Sequence, residues 1–387
     1  MKIAYISDFG FSFCDFPLIQ QMNKDDLDVT YYILINSFRL KGPLFQINAD
    51  VVGSSGIYPA STFPEFEKFN NILELNKVYV VYSKKDSRSS FKRIMQAISL
   101  RFRLLYELIS KKYDIIHHTY PLELSSWYLY LLSKKMVLTM HDPFPHSNDV
   151  GNTVEARNRR IAYRLIPKII LLNNTTTDSF IKENKISREK VFVSRLGEFS
   201  FIREVKPVSL VKNSKYILQF GAISPYKGIE YLINAFNKIY KEYLDVKLVI
   251  AGGGKLYFKE EIYKDNSNII IINRYLDIQE IAGLLRDCLF SVCPYKDATQ
   301  SGVIPMSYAL NVPMIVTNVG ALPVSVENDV TGIVVPPCDS DALAEAIKKL
   351  LDNPKEIDRM RNNIDTIWKP ANTWGPVVND YINCYKS

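Results

Sequence analysis

Tyr216-Ile217-Leu218-Gln219-Phe220-Gly221-Ala222-Ile223-Ser224-Pro225-Tyr226-Lys227-Gly228 decides the reading of this chain. An apolar run stops at Gly221, a turn follows, and a Lys-Gly pair opens a helix predicted over Ile229–Tyr240. A strand that passes through a glycine turn into a helix is half of a βαβ unit, the building block of a parallel sheet. The amides at such a helix start favour anions, and Lys227 beside them adds a full positive charge. Gly221 and Lys227 therefore read as a candidate diphosphate clamp. Strand–turn–Lys-Gly also arises without any such role, so the residues alone leave both readings standing.

Working outward, the same alternation recurs on both sides. After this unit, strands are predicted at Lys247–Ala251, Ile269–Ile272, Leu289–Cys293, Met314–Thr317 and Ile333–Val335, with helices at Ile278–Asp287, Gln300–Leu310 and Asp339–Leu351. Before it, strands are predicted at Lys2–Ser7, Val29–Leu34, Lys77–Tyr82, Ile115–His118, Met136–Met140, Lys168–Leu172 and Val191–Ser194. Phe91, Ile94, Met95, Ile98, Phe102, Leu105 and Ile109 keep helical spacing. That stripe is expected to pack on the sheet with the interleaved basic residues outward; a membrane-facing stripe is the other reading. Glu198 to Ser214, with Pro207, is the expected linker. The fold class is α/β: two Rossmann-like, doubly wound parallel-sheet domains facing across a cleft, residues 1–200 and 201–369. An amphipathic helix within 370–387 has no strand after it and must dock on an element already built.

Length and composition agree with two ordinary domains. The 387 residues are 47% hydrophobic, enough for two cores. Lys2–Ser7 is too short for a signal sequence, and no run approaches the ~20 apolar residues that span a bilayer. Cys14, Cys288, Cys293, Cys338 and Cys384 show no CxxC spacing and read as reduced thiols, so the chain is expected to be cytoplasmic. The net charge is +7. Its cations gather at Lys84, Lys85, Arg88, Lys92, Arg93, Arg101, Arg103, Lys111 and Lys112, and again at Arg157, Arg159, Arg160, Arg164 and Lys168. Such faces suit phosphate-rich partners, including the inner leaflet of a membrane, or are ordinary solvated helix faces. Nothing in the pattern points to nucleic acid.

Two further loops are candidates for binding. Gly252, Gly253 and Gly254 follow an apolar strand, where they allow either close approach to a ligand or merely a tight turn. The run is not GxGxxG, so a dinucleotide site is poorly supported. Between a strand and a helix, Thr299, Gln300, Ser301, Gly302 and Val303 gather hydroxyls, an amide and free N–H groups suited to a sugar diphosphate; Thr299 or Ser301 equally suits a helix N-cap. Asp26 and Asp28 read as a solvated turn, and no metal or cofactor is expected.

The run Tyr226-Lys227-Gly228 to Phe236 resembles the KG-x-x-x-L-x-x-A segment of the family 4 glycosyltransferases, which have the GT-B fold. Leu248–Gly254, Pro313–Pro323, Thr331–Pro337 and the closing stretch Thr373–Tyr385 resemble further family segments, in family order over residues 216–385. The N-terminal half matches loosely, through its first strand and Thr139-Met140-His141-Asp142. The resemblance implies a retaining, metal-independent transfer from a nucleotide sugar to a glycan or lipid-linked acceptor, as in bacterial surface polysaccharide synthesis. It implies an acceptor-binding domain at 1–200, completed by helix 370–387, and a nucleotide-sugar-binding domain at 201–369. Lys227 would hold the diphosphate, the amides near Gly302 and Val303 would assist, and His141 would stand near the reacting centre. On the residues alone His141 reads equally as structural, as do His117, His118 and His146. The two family glutamates are replaced by Thr299 and Ser307, where Thr299-Gln300-Ser301-Gly302 resembles a bacterial variant. The frequent Arg before the Lys is Ala222, and the Glu after Leu-Pro is Val324. The alternative reading is a noncatalytic subunit of the same fold that binds a partner transferase or glycan.

Overall fold

The computed structural model describes residues 1–84, 91–120, 124–144 and 153–387. His146, Lys85 and Arg88 lie outside these residues, and of helix residues 91–94 only the backbone is described. The chain forms two compact units, each with its own sheet.

The first unit comprises Met1–Pro143, Gly151–Arg195 and Trp374–Ser387. Its strands are β1 (Lys2–Asp8), β2 (Asp28–Asn36), β3 (Gly56–Pro59), β4 (Val78–Ser83), β5 (Ile115–Thr119), β6 (Met136–Met140), β7 (Lys168–Leu171) and β8 (Val191–Val193). Helices α1 (Ser12–Lys24), α2 (Phe91–Ser110), α3 (Thr153–Leu165) and α4 (Thr177–Asn184) connect them. The sheet order is β3-β4-β2-β1-β5-β6-β7-β8, parallel throughout except for β3, which runs antiparallel to β4 at the edge. Strands such as Ile3–Ile6 and Met136–Met140 are buried along their whole length, as parallel strands covered on both faces must be.

Among the described residues the second unit holds Phe144 and Leu196–Thr373. Its strands are β9 (Lys215–Phe220), β10 (Val246–Ala251), β11 (Ile269–Ile272), β12 (Ser291–Cys293), β13 (Met314–Thr317) and β14 (Gly332–Val335). They are all parallel, in the order β11-β10-β9-β12-β13-β14. The helices are α5 (Ile229–Ile239), α6 (Ile278–Asp287), α7 (Val303–Ala309), α8 (Leu322–Ser325), α9 (Ser340–Asp352), α10 (Pro354–Asn363) and α11 (Lys369–Ala371). Leu232, Ile233 and Phe236 of α5 are fully buried with Leu248, Ile250, Leu343 and Ile347; each such side chain contributes ~1.5–3 kcal/mol. Asp277 caps α6 by accepting from the amides of Gln279 and Glu280, and Glu280 completes the capping box.

The last helix, α12 (Trp374–Lys386), belongs to the first unit, where it packs on α1, β7 and β8. Val377, Val378 and Cys384 are completely buried, and Tyr385 Oη lies 2.8 Å from His117 Nδ1. His117 Nε2 meets Thr139 Oγ1 at 2.8 Å, so that histidine is an internal hydrogen-bonding residue.

Several expectations need correction. The α2 stripe does not pack on the sheet: Leu104 and Leu108 are buried, whereas Met95, Phe102 and Ile109 are 49%, 67% and 56% exposed. The helix is apolar on two sides, and periodicity alone does not say which side is covered. Among the cations, Arg159 is not a surface charge. Its side chain is 8% exposed and bonds to Glu155, Tyr120 Oη and the Asp142 carbonyl. The expected helix Gln300–Leu310 begins only at Val303, whose amide donates to Ser301 Oγ at 3.3 Å. The expected linker is not free, since Phe199, Phe201 and Ile202 are buried within the second unit. Among the described residues no helix is long and apolar enough to cross a membrane, and the five cysteines are unpaired.

Candidate functional site

In the second unit the order β11-β10-β9-β12-β13-β14 reverses direction between β9 and β12. In doubly wound sheets ligands bind at the carboxyl ends of the strands at such a switch point. The loop after β9 carries Gly221 and Lys227, and the loop after β12 carries Tyr295 to Gly302.

Lys227 closes a short turn, Pro225–Lys227, and Gly228 follows in the left-handed region at φ 61°. A Cβ at Gly228 would lie 2.2 Å from the Pro294 carbonyl oxygen, so glycine lets the β9 loop press on the β12 loop. Lys227 is only 6% exposed. Its Nζ sits 5.1 Å from the centre of the Tyr295 ring and 5.9 Å from that of Tyr226. It would be 2.8 Å from a Cβ at Gly221, which has φ 105°. Burial lowers its pKa, partly opposed by the Cys293 thiol. Among the described residues Lys227 makes no ion pair. The carboxylate nearest in sequence, Glu230, is held by Lys296 at 2.9 Å and by Tyr257 Oη at 2.6 Å. Two aromatic faces stabilise the ammonium in part, through cation–π attraction, and leave its charge available to an anion.

The glycines after β10 have a backbone reason. Gly252 is at φ 152°, and a Cβ there would lie 2.0 Å from the Gly221 carbonyl oxygen. A Cβ at Gly254 would meet the Ile223 carbonyl at 2.2 Å, while Ile223 N donates to Gly253 O at 3.0 Å. These contacts lock the loop after β10 against the loop that carries Lys227.

In the β12 loop, Ser301 Oγ is 3.3 Å from Tyr295 Oη, linking it to the ring under Lys227. Val303 Cγ2 would be 3.8 Å from a Cβ at Gly221. The structure thus gathers Gly221, Lys227, Gly252, Ser301 and Val303 about one loop cluster, although Ser301 occupies the Val303 amide. Thr299 is buried, and its carbonyl accepts from Ala321 N at 3.3 Å. Gln300 and Gly302 are half-buried. Ser307, one turn after Val303 on the same helix face, is fully buried, and its Oγ has no hydrogen-bond partner among the described residues. Ala222 and Val324 are exposed. Tyr226 and Tyr295 were not singled out from sequence. Tyr226 adjoins Lys227, but Tyr295 becomes a neighbour only through the β9–β12 pairing.

In the first unit the order reverses between β1 and β5, and His141 directly follows the next strand, β6. It is 6% exposed, its ring stacks on Phe11 with centroids 4.2 Å apart, and Nε2 is 4.0 Å from Cys14 Sγ. Burial pushes its pKa down to about 4, opposed by the Asp142 carboxylate, so the ring is neutral near pH 7. Phe11 also stacks on Tyr120, and Arg159 fixes Tyr120 Oη at 2.6 Å and the Asp142 carbonyl at 2.5 Å. His118, lowered to about 4 by burial, bonds the Tyr120 carbonyl through Nδ1 at 2.8 Å. Among the described residues no group of three or more His, Cys, Asp or Glu is placed to hold a metal ion.

Comparison with known proteins falls along the same division. The family described as Glycosyltransferase Family 4 matches residues 50–197, and the family described as Glycosyl transferases group 1 matches residues 214–353. An uncharacterized glycosyltransferase of Methanocaldococcus jannaschii is 26% identical over 184 residues, 47% of each chain. The capsular polysaccharide biosynthesis glycosyltransferase CapM of Staphylococcus aureus is 27% identical over 210 residues, 50% of this chain and 54% of that one. The chain thus spans about half the length of these relatives. Among solved structures, Anabaena HepE in complex with UDP superposes with a TM-score of 0.65 at 15% identity, covering 100% of both chains.

Proposed function

We propose that the chain, which two glycosyltransferase family models match over residues 50–197 and 214–353, is a family 4 glycosyltransferase of GT-B fold that moves a sugar from a nucleoside diphosphate donor to a glycan or lipid-linked acceptor, with retention of anomeric configuration. One observation carries the donor assignment: the buried Lys227 ammonium, at the switch point of the second sheet, has aromatic neighbours and no carboxylate partner among the described residues. A diphosphate supplies the missing counter-charge. In the transfer, the bond from the sugar's anomeric carbon to the diphosphate oxygen breaks, and a bond from the acceptor hydroxyl oxygen forms on the same face. The acceptor proton passes to the departing phosphate oxygen. Lys227 stabilises the charge that grows on the diphosphate, a role the proposal gives to this cation rather than to a metal ion. His141, neutral and fixed against Phe11, is assigned to the acceptor side. The likeness to CapM supports an acceptor in surface polysaccharide synthesis.

A second reading has its own support. Thr299 and Ser307 stand where the family commonly places carboxylates, and Ser307 is completely buried, which suits a noncatalytic subunit that binds a partner transferase or glycan. A panel of nucleotide sugars tested by thermal shift, followed by release of free nucleoside diphosphate in the presence of an acceptor extract, separates the two. A transferase gives a shift and release; a noncatalytic subunit releases no nucleoside diphosphate. A chain stabilised by no nucleotide sugar or nucleoside diphosphate refutes the transferase reading.

A further inference from the structure

Helix α2 buries Leu104 and Leu108 and turns a second apolar face outward: Met95, Phe102, Tyr106 and Ile109 are 49%, 67%, 72% and 56% exposed. At 3.6 residues per turn these four fall within an arc of about 60°, so they form one ridge. The segment Leu124–Lys135, packed against α2, exposes Trp127 at 62% and Leu131 at 71%. Six of the sixteen large hydrophobics exposed among the described residues therefore lie on two neighbouring elements. Such clustering marks an interaction surface, whereas scattered exposed apolar residues need no explanation.

The charges on the same elements and their flanking turns identify the partner. Arg101, Arg103, Lys111, Lys112, Lys134 and Lys135 accompany the ridge, against the carboxylates Glu107 and Asp114. Glu107 is held by Lys111 at 2.6 Å, and Asp114 accepts the Lys2 amide at 2.8 Å. Arg103, Lys112, Lys134 and Lys135 are exposed. A two-fold contact with a second copy would bring like cations together. An anionic lipid surface meets both features, since aromatic rings settle at the headgroup level while basic side chains reach the phosphates.

We propose that this face of the N-terminal unit docks on an anionic phospholipid surface, with Phe102, Tyr106, Ile109, Trp127 and Leu131 entering the boundary between headgroups and acyl chains. The surface lies wholly within the first unit, and the inference does not depend on sugar transfer.

The test is flotation of the full chain with vesicles of phosphatidylcholine alone, and of phosphatidylcholine mixed with phosphatidylglycerol. The chain is expected to float with the mixed vesicles and far less with the neutral ones. Phe102→Ser with Ile109→Ser should cut partitioning at least about tenfold by removing inserted apolar surface. Arg103→Gln with Lys134→Gln should weaken it about fivefold for each cation removed. Circular dichroism melting checks that both variants remain folded; all four positions are exposed. No flotation with the mixed vesicles, or undiminished flotation of both variants, overturns the proposal. So does a wild-type dimer in light scattering that Phe102→Ser with Ile109→Ser dissociates, which would assign the ridge to a second copy.

Discussion

Lys227→Met keeps most of the side chain's length and removes its charge, so it isolates the electrostatic part of donor binding. The ammonium is 6% exposed, with no carboxylate paired to it among the described residues. Folding has therefore already stripped most of its water, and a bound phosphate gains the attraction without desolvating it again. A unit charge about 4 Å away at an effective dielectric near 20 interacts by ~4 kcal/mol, and hydrogen bonds to charged groups are worth ~1.5–3 kcal/mol net. The predehydrated cation argues for the upper end, about 3 kcal/mol, or roughly 150-fold in dissociation constant. Calorimetric titration with the nucleoside diphosphate that gives the largest thermal shift measures this directly. At one hundred times the wild-type dissociation constant the ligand adds ~2.7 kcal/mol of stability to the wild type, and about 0.3 kcal/mol to the variant. Without ligand the sign reverses. A buried charge whose pKa is lowered by desolvation costs stability, so the unliganded variant should melt at or above the wild-type temperature. Donor affinity within about threefold of wild type, or a variant that melts lower without ligand, would refute the clamp.

Three other expectations follow from single residues. Ser307→Ala removes a fully buried hydroxyl that has no partner among the described residues, so thermal melting should show a gain of up to ~1 kcal/mol; a loss would mean the hydroxyl is bonded. Gly252→Ala places a methyl 2.0 Å from the Gly221 carbonyl oxygen at φ 152° and should cost at least ~3 kcal/mol in denaturant unfolding, whereas Gly53→Ala, at φ 61° with open space around it, should cost only ~1 kcal/mol. Asp15, completely buried and bonded by Tyr5 and Tyr31 at 3.0 Å, has its pKa raised by burial from 3.8 to about 7. The favourable contribution is thus full below pH 3.8 and is lost as pH rises through about 7, so Asp15→Asn should remove a decline on the order of 4 kcal/mol across that window, read from urea unfolding against pH.

The strands were legible because a parallel sheet covered on both faces needs uninterrupted apolar runs, and β6, β11 and β13 stand in the sequence as such runs. β3 was missed because Gly56-Ile57-Tyr58-Pro59 is a short edge strand with too few residues to show a period and a proline at its end. Lys227 was legible as a lone cation at a strand–helix turn. Tyr295 was not, because it lies 68 residues further along the chain and reaches the ammonium only when β12 joins β9. For the glycines after β10 the sequence left a ligand and a tight turn both open, and Gly252 and Gly254 are constrained by the carbonyls of Gly221 and Ile223. The α2 stripe failed differently: the spacing was right, but a helix apolar on two sides gives no sign of which side the fold covers.

The replacements at 299 and 307 and the isolation of Lys227 have a common electrostatic consequence. A carboxylate within about 4 Å of the ammonium would pair with it and compete with an incoming phosphate by ~4 kcal/mol at an effective dielectric near 20. Hydroxyls carry no net charge and do not compete in this way, and Glu230, the carboxylate nearest in sequence, is already bound by Lys296 and Tyr257. On the proposed reading, the second unit would meet a donor with a positive charge that nothing among its described residues neutralises, favouring the diphosphate whatever sugar it bears. Carboxylates that fix sugar hydroxyls also discriminate among sugars, because a wrong hydroxyl pattern leaves a charged acceptor unpaired. With a neutral hydroxyl sealed at Ser307, that penalty is absent from this helix face. On the same reading, the buried cation would serve affinity for the diphosphate rather than choice of sugar.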